Sequence, residues 1–366
     1  MKNKFCFIII MLILVFACNE ANRSEFTIIP IDVNRDVSLP LSIITDEITA
    51  IELEMTDESL INPDQIKSVH LFENHIILQE RNKILMFNMD GKFVRSIGAK
   101  GQGPGEFSIL LKLSIDEKNK RLIAVDHYKI ICYDLNGKFL FQSSAIFDTG
   151  KRVYDLNYTN DGMFALVDQI GTKTTKESYS QSQLFKMNDD YKIVDSLIIR
   201  KTYYEQLEFF GFMWNDLILH SNSSSYVFCP DHSWQLNKVA KKTLPDTLYR
   251  LENNNLIPEL KLKFKNYGFL DRDKSIEIGG IYRSSRYIFA VYINRGYFRF
   301  CYDTRTGKGY NMKNGFTDDI HQIEKQINIR PFATNTELFY YWHTHMNADD
   351  LREEQNPTLY IGRLKK

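Results

Sequence analysis

The sequence predicts an all-β fold, a six-bladed β-propeller with four-stranded blades whose last blade is closed by an N-terminal strand. Two observations support this prediction: a hairpin motif that recurs roughly every 50 residues, and a chain end that leaves the last repeat one strand short. Aromatic side chains make up 13% of the 366 residues, which favours strands over helices.

The repeat is clearest in two segments, ILMFNMDGKF from Ile84 and IICYDLNGKF from Ile130. Each has the pattern of a strand, a tight Asp-Gly or Asn-Gly turn and a returning strand, which is the strongest short-range signal for a β-hairpin. Weaker copies keep an apolar residue before an aromatic one. The aromatic positions of the six copies are Phe87, Tyr133, Phe185, Tyr249, Tyr302 and Tyr360. Repeats of this length built from short strands are typical of propeller blades, so six copies predict six blades.

The sixth copy ends at Lys366 and leaves no room for an outer strand. Residues 47–55, EITAIELEM, precede the first repeat and alternate apolar with polar side chains, as a half-buried strand does. We expect this segment to pair with the last blade and close the ring. Pairing there would also cover an open strand edge, which is otherwise prone to aggregation.

A glycine-rich stretch, GAKGQGPGEF at residues 98–107, follows the outer strand of the first copy. A phosphate-binding loop of this kind would lie between a strand and a helix, and SILLKLSID, which follows, has no helical period. Glycine permits positive φ and proline fixes its own φ, so both suit a sharp change of direction. We therefore expect a turn in the crossover between the first two blades.

The N-terminus, MKNKFCFIIIMLILVFACNE, predicts a signal peptide. Its apolar run, residues 5–17, is shorter than the roughly 20 residues that a membrane-spanning helix needs. The four residues that end in Cys18 resemble a bacterial lipobox, which implies cleavage before Cys18 and lipid attachment to it. An ordinary cleaved signal with an incidental cysteine is the alternative. The predicted organisation is a lipoprotein signal peptide (1–17), lipidated Cys18 with a tether (18–45) and the propeller (46–366).

Residues 101–139, GQGPGEFSILLKLSIDEKNKRLIAVDHYKIICYDLNGKF, resemble an NHL-type propeller repeat. The whole chain resembles the six-bladed β-propeller lipoproteins of Bacteroidetes, through the lipobox, GQGPGEF, PDTLYRLENNNLIPELKLKF at residues 245–264 and NPTLYIGRLKK at the C-terminus. The resemblance implies an outer-membrane lipoprotein of the cell envelope. NEANRSE after Cys18 matches an acidic surface-export tag only weakly, which favours the periplasmic side. The resemblance carries over no catalytic residues.

The charges predict no nucleic-acid partner, because Lys+Arg and Asp+Glu both number 46 and no basic face is indicated. Without the signal peptide and Cys18 three cysteines remain, so at least one is unpaired or intermolecular. Cys132 and Cys301 occupy the same position in copies that lie opposite each other in a six-membered ring. We expect both to be buried as small apolar residues. The third remaining cysteine is Cys229.

WHTHMNADD at residues 342–350 is the most suggestive polar cluster. On a strand, His343 and His345 would share one face, and Asp349 or Asp350 could add an oxygen ligand for zinc. Histidines at the rim of a loop are the favoured interpretation, so no metal, cofactor or catalytic residue is predicted. Polar residues 168–183 are expected to form a loop on one face. Aromatic residues 203–214 are expected in the interblade core, with a binding platform as the alternative.

The leading functional hypothesis is a non-catalytic binding or scaffold propeller, held at a membrane by lipid on Cys18. It would recognise a peptide, glycan or partner protein through loops at one end of its channel. The alternative is a hydrolase or lyase that acts on a carbohydrate or lactone in the channel. Acidic side chains from several inner strands around a bound ion would favour the enzyme, and an apolar or mixed lining would favour binding.

Overall fold

The computed structural model describes residues 26–144, 151–174, 177–204, 216–221, 223–230, 238–241, 246–265, 276–344 and 355–366. Two strands precede the repeats, β1 (Thr27–Ile31) and β2 (Thr45–Glu52), with a single-turn helix α1 (Leu41–Ile44) between them. A 3-10 turn at Pro63–Gln65 leads into the first blade. Six blade sheets follow, and their strands run antiparallel and in chain order from the inside of the ring outwards, except that the N-terminal strands β1 and β2 form the outer edges of blades 4 and 6.

The strands of blades 1 and 2, with a short pair in the crossover, are β3 (Ile66–Phe72), β4 (His75–Glu80), β5 (Lys83–Asn88), β6 (Phe93–Ser96), β7 (Ala99–Lys100), β8 (Glu106–Phe107), β9 (Leu110–Asp116), β10 (Arg121–Asp126), β11 (Ile130–Asp134) and β12 (Phe139–Ser143). The strands of blades 3 and 4 are β13 (Lys151–Thr159), β14 (Gly162–Thr174), β15 (Glu177–Met187), β16 (Ile193–Tyr204), β17 (Ile218–Ser221), β18 (Ser224–Phe228), β19 (Lys238–Lys241), β20 (Thr247–Glu252) and β21 (Asn255–Phe264). β19 pairs with β16 as a fifth strand of blade 3.

The strands of blades 5 and 6 are β22 (Glu277–Arg283), β23 (Tyr287–Ile293), β24 (Tyr297–Asp303), β25 (Lys308–Lys313), β26 (Phe316–Asp318), β27 (Ile323–Ile327), β28 (Arg330–Phe332), β29 (Asn335–His343) and β30 (Thr358–Leu364). β26 and β27 form a separate hairpin in the crossover from blade 5 to blade 6. Each of the six aromatic residues that define the repeat lies in the third strand of its blade, so the prediction of six blades is confirmed.

The ring closes as predicted. β2 pairs antiparallel with β30 and forms the outer strand of blade 6, with Ile51 opposite Leu359. Both side chains are buried in the cluster between blades 6 and 1. Similar buried clusters fill the spaces between the other adjacent blades, which is how the faces of the sheets are removed from water.

The chain from Thr27 to Ile44 also packs on the propeller, although it belongs to the segment expected to be a tether. β1 pairs in parallel with β21 at the outer edge of blade 4, which buries Ile29 and Ile31 completely. The chain then bonds to blade 5, where the Val37 amide donates to Asn311 O at 2.8 Å. The N-terminal segment thus joins the outer edges of blades 4, 5 and 6.

The glycine-rich stretch is a turn, as predicted. Gly98 and Gly105 have φ of +65° and +73°, a backbone conformation that residues with a Cβ rarely adopt. Their neighbours β7 and β8 pair in parallel within the crossover, and the Gly103 amide donates to Glu106 Oε2 at 2.8 Å.

One loop prediction is wrong. Residues 168–183 are not a loop for most of their length, because β14 and β15 run through them and pair as far as Thr174 opposite Glu177. Small and polar residues can form this hairpin because the hydrogen bonds of a β-ladder are made by the backbone. The hairpin makes blade 3 longer than the other blades.

The three cysteines of the propeller are free and buried, as expected for Cys132 and Cys301. Burial raises the pKa of the Cys132 thiol to about 11, which keeps it protonated and unreactive. Within the described ranges, no helix has the length and apolar character needed to span a membrane.

Candidate functional site

The two ends of the ring differ in their connections. One end, the turn face, carries the turns from first to second and from third to fourth strands, such as residues 117–120 and 284–286. Between described strands these turns are two to five residues long. The other end, the crossover face, carries the connections from second to third strands and the crossovers between blades. Its longest connections include residues 229–246 and 344–357.

The inner strands are bonded to one another around a narrow polar channel. The bonds run from blade 6 through blades 1, 2, 3 and 4 and return to blade 6. In order they are Arg330 Nη1 to Lys67 O (2.9 Å), Lys67 Nζ to Leu110 O (3.3 Å), Ser114 Oγ to Asn157 Oδ1 (2.9 Å), Asn157 Nδ2 to Ile218 O (2.8 Å) and His220 N to Ala333 O (2.7 Å). This circle of bonds bypasses the inner strand of blade 5, β22.

A buried ion cluster lies in the channel. Lys112 Nζ is 2.9 Å from Asp155 Oδ1 and 2.5 Å from Asp216 Oδ1, and the exposed fractions of the Lys112 and Asp155 side chains are 4% and 0%. Asp155 Oδ2 also accepts the amide hydrogens of Leu217 and Ile218, at 2.6 and 2.8 Å. The cluster therefore joins the inner strands of blades 2 and 3 to the start of the inner strand of blade 4.

The single ammonium of Lys112 faces two carboxylates, and burial raises the pKa of one of them, Asp155. Burial alone would lower the pKa of Lys112, but the attraction of Asp155 and Asp216 outweighs burial and raises it, so the ammonium stays charged. The cation between the two channel carboxylates is thus a side chain of the protein itself. The described side chains of this cluster therefore carry both signs of charge.

His70 lies beside this cluster, on the inner strand of blade 1. It is buried, and its Nε2 lies 3.0 Å from Ser68 Oγ. Burial lowers the pKa of His70 to about 4; Lys112 adds to this effect and Asp216 opposes it. The imidazole is therefore neutral at physiological pH.

Arg330 and Arg299 lie near the crossover ends of strands in neighbouring blades. Arg330, the first residue of β28, stacks its guanidinium 4.7 Å from the ring centre of Trp342. Arg299 of β24 is largely buried, and burial together with the positive charge of Arg330 lowers its pKa to about 10.

Gly280, on the inner strand of blade 5, adjoins open space. Gly280 of β22 lies opposite Val291, and Val291 lies opposite Arg299, so the three residues share one face of the sheet. A Cβ at Gly280 would meet no atom within 4 Å.

The turn face contains a cavity of about 400 Å³. Its lining carries both signs of charge, including Glu117, Glu337 and Arg363. The Glu337 carboxylate is already bound: it accepts from Ser221 Oγ at 3.2 Å and from Ser285 Oγ at 2.9 Å. Glu337 therefore joins blades 4, 5 and 6 at this end of the channel.

The contacts described above do not test most of the site residues that were predicted from the sequence. Cys18, His345, Asp349 and most of the aromatic segment 203–214 lie outside the described residues. His343 is the last residue of β29 and is partly buried. In the described part of the chain, no three His, Cys, Asp or Glu side chains are grouped to hold a metal ion.

Sequence reasoning missed the channel residues. A signal was present for two of them, because Lys112 and Asp155 interrupt the apolar inner-strand sequences LLKLSID and RVYDLNYT. A charge in a strand buried on both faces requires a partner, which is the physical content of that signal. For Arg299 and Arg330 no such signal exists, since each lies in a segment of mixed polarity.

These features define the class of protein as a six-bladed β-propeller with a polar channel and unequal ends. The model of the family "Domain of unknown function (DUF4934)" matches residues 26–366, and the chain belongs to this family. None of the curated proteins matches the sequence.

The fold is similar to the crystal structure of a "putative exported protein" from Bacteroides fragilis, with 18% identity, coverage of 93% of this chain and 100% of that chain, and a TM-score of 0.62. A protein of unknown function from Bacteroides caccae matches at 14% identity, 78% and 89% coverage and a TM-score of 0.36. The Neurospora crassa Pan2 WD40 domain matches at 11% identity, 82% and 76% coverage and a TM-score of 0.38. The first likeness supports the fold alone, and the other two carry no argument.

Proposed function

We propose that this protein is a lipid-anchored binding or scaffold propeller of the cell envelope, and that it recognises a peptide, glycan or partner protein at its crossover face. The observation that carries the proposal is the inequality of the two faces. Recognition residues are commonly placed in connections of variable length that extend from a rigid scaffold. In this propeller the long connections extend from one face.

Exposed aromatic residues add to this support. Tyr128 and Tyr297 are 68% and 59% exposed, and both lie next to connections from second to third strands, at the crossover face. Trp342, near the end of β29 in the last blade, is partly buried. Tyrosine and tryptophan are enriched at recognition surfaces because they offer a large apolar area with a polar tip.

The ion cluster of the channel favours binding over catalysis. Asp155 and Asp216 both bond to Lys112, and Asp155 also accepts two amide hydrogens, so the two carboxylates are engaged in holding blades together. A general acid or base must be able to reach a proton of the substrate.

The proposed location rests on the N-terminus. A signal peptide that ends in a lipobox would place lipid on Cys18 and the propeller at the periplasmic side of the outer membrane. The likeness to a "putative exported protein" agrees with export. Replacing Cys18 with Ser is expected to abolish labelling by a palmitate analogue and to move the protein from the membrane to the soluble fraction. Unchanged labelling would contradict the anchor.

The binding site is tested by matched substitutions on the two faces. Glycan and peptide arrays and crosslinking in cell envelopes would be probed with the full chain, with Tyr128→Ala and Tyr297→Ala at the crossover face, and with Met89→Ala at the turn face. We expect the crossover-face variants to lose the captured ligand and Met89→Ala to keep it. Equal loss in all three variants, or turnover of a captured carbohydrate, would overturn the proposal.

A further inference from the structure

The outer edge of blade 4 exposes apolar side chains to solvent. Along β1 the side chains alternate, so that Ile29 and Ile31 are buried whereas Ile28 and Pro30 are exposed. Ile28 is 55% exposed, and Phe26, two residues before it, is 37% exposed. Residues 26–30 therefore present apolar side chains at positions 26, 28 and 30 of one edge.

The neighbouring strand β21 adds lysines beside these side chains. Its register places Lys261 opposite Ile28 and Lys263 opposite Pro30. Lys261 Nζ lies 3.2 Å from Asp246 Oδ2, whereas Lys263 is exposed and has no ion pair among the described residues. Lys263 therefore leaves a positive charge next to the apolar side chains. The blade 4 edge patch consists of Phe26, Ile28, Pro30 and Lys263.

The blade 4 edge patch lies close in sequence to the predicted lipidation site. Phe26 is the first described residue and follows Cys18 by eight positions. A fully extended chain spans at most about 3.6 Å per residue, so lipid on Cys18 would lie within about 30 Å of this edge. The distance is short because β1, in the segment expected to be a tether, is paired with blade 4.

The direction of β1 relates the patch to the two faces of the ring. The strand β21 begins after a turn at the turn face and runs to the crossover face, and β1 runs parallel to it. The start of β1, where Phe26 lies, is thus the end nearer the turn face. The crossover face, with the proposed recognition site, lies at the other end of the strand.

We propose that the blade 4 edge patch contacts the surface of the lipid bilayer that holds the anchor. Phe26 and Ile28 would lie at the boundary of headgroups and acyl chains, and Lys263 would meet anionic headgroups. A short tether gives the patch a high effective concentration at the membrane, so a small contact suffices to orient the propeller. The inference rests on the proposed function, because it requires lipid on Cys18. It adds which edge of the ring meets the membrane.

The contact is tested by fluorescence quenching in vesicles. The lipidated protein with Ile28→Cys would be labelled with a nitrobenzoxadiazole maleimide and reconstituted in vesicles of phosphatidylethanolamine and phosphatidylglycerol, with and without doxyl-labelled lipid. The three cysteines of the propeller are buried, which directs the label to the new thiol. We expect the doxyl lipid to reduce the fluorescence at position 28 by about twofold or more, because the side chain reaches the headgroup boundary.

A label on the opposite side of the ring is the matched control. Val94 lies on β6, the outer strand of blade 1, and is 37% exposed. Blades 1 and 4 are three positions apart in a ring of six, so they lie opposite each other. The label in Val94→Cys is expected to keep its fluorescence in the same vesicles.

The charge of the patch is tested in the protein that carries the label at position 28. Adding Lys263→Glu is expected to weaken the quenching, because the new carboxylate is repelled by phosphatidylglycerol. Lys325→Glu on the exposed strand β27 is the matched control and should leave the quenching unchanged. The midpoint of thermal unfolding checks that every variant is folded.

Three results would overturn the inference: no quenching at position 28, equal quenching at positions 28 and 94, or quenching that Lys263→Glu leaves unchanged. Labelling of the same preparation with a palmitate analogue separates its failure from failure of the proposed function. Lipidated protein without quenching at position 28 would keep the anchor and remove the contact. Protein without lipid would remove the anchor, and the contact with it.

Discussion

The turn face and the crossover face are built from the same six sheets, but they differ in the length of their connections and in the contacts of their charged side chains. At the turn face the turns are short and the Glu337 carboxylate is held by serines of two other blades. At the crossover face several connections are much longer, and the Arg330 guanidinium stacks on Trp342. The comparison teaches that one end of the ring has short turns tied together by its own polar groups, whereas the other carries the long connections in which recognition residues can be placed.

The largest effect is expected in the channel that joins the two faces. Lys112→Met would leave Asp155 and Asp216 buried without their cation, and breaking a buried pair costs about 3 to 5 kcal/mol. Urea unfolding measures the loss. A loss below about 1 kcal/mol, the range of exposed pairs, would show that water reaches the cluster and that the channel is wider than these distances imply.

The second effect depends on pH. The pKa of His70 is about 4 in the folded protein and about 6.5 in an unfolded chain. As pH falls from about 6.5 to 4 the unfolded chain takes up a proton that the folded protein does not, so stability should fall by up to about 3 kcal/mol. His70→Gln is expected to remove this pH dependence, as measured by urea unfolding at both ends of the range.

A surface substitution, His127→Gln, serves as the control and should leave the pH dependence of the wild type unchanged. If His70→Gln and the wild type lost the same stability between the two pH values, His70 would be solvated in the folded protein. The channel would then be wet beside blade 1.

The third prediction concerns closure of the turn face. Glu337→Gln places an amide group where the hydrogens of Ser285 now bond to a carboxylate, at 2.5 Å from its amide and 2.9 Å from its hydroxyl. Hydrogen bonds to charged groups contribute about 1.5 to 3 kcal/mol, so a stability loss of about 1 to 3 kcal/mol is expected. Glu324→Gln on the exposed β27 is the matched control. Equal losses in both variants would show that Glu337 does not hold the blades together.

The smallest effect is expected from a surface pair on the turn face. Lys118 Nζ lies 3.5 Å from Asp189 Oδ2, and the two side chains are 58% and 62% exposed. Exposed pairs contribute about 0.2 to 1 kcal/mol, so a double-mutant cycle of Lys118→Ala and Asp189→Ala should give a coupling energy in the lower part of that range. A coupling above about 1 kcal/mol would show that the turns between blades 2 and 3 act as a rigid unit.

The hairpin repeats were predictable because their turns are local. Asn88, Asp134 and Asn188 each accept the amide hydrogens two and four residues later in the chain, which fixes the turn from within its own sequence. The same turn contacts correct the alignment of the third repeat. In blade 3 the position equivalent to Phe87 and Tyr133 is Met187, two residues after the aromatic Phe185 that marks the repeat.

The folded part of the expected tether was not predictable in the same way. TIIPI at β1 has no hairpin partner nearby in sequence, and its ladder is formed with residues 260–264, far along the chain. Only the exposed outer edge of blade 4 decides that this segment becomes a strand. The longer hairpin of blade 3 is a related case, since polar residues become strand residues where a neighbouring strand supplies the hydrogen bonds.

The sequence by itself determined the number of blades, the turn in the glycine-rich crossover and the strand that closes the ring, because period, turn chemistry and alternation act within short stretches of chain. Only the tertiary structure decided where Lys112 meets Asp155 and Asp216, and where Glu337 meets Ser221 and Ser285. These residues come from different blades. Their meeting is set by the closure of the ring, and no local pattern encodes it.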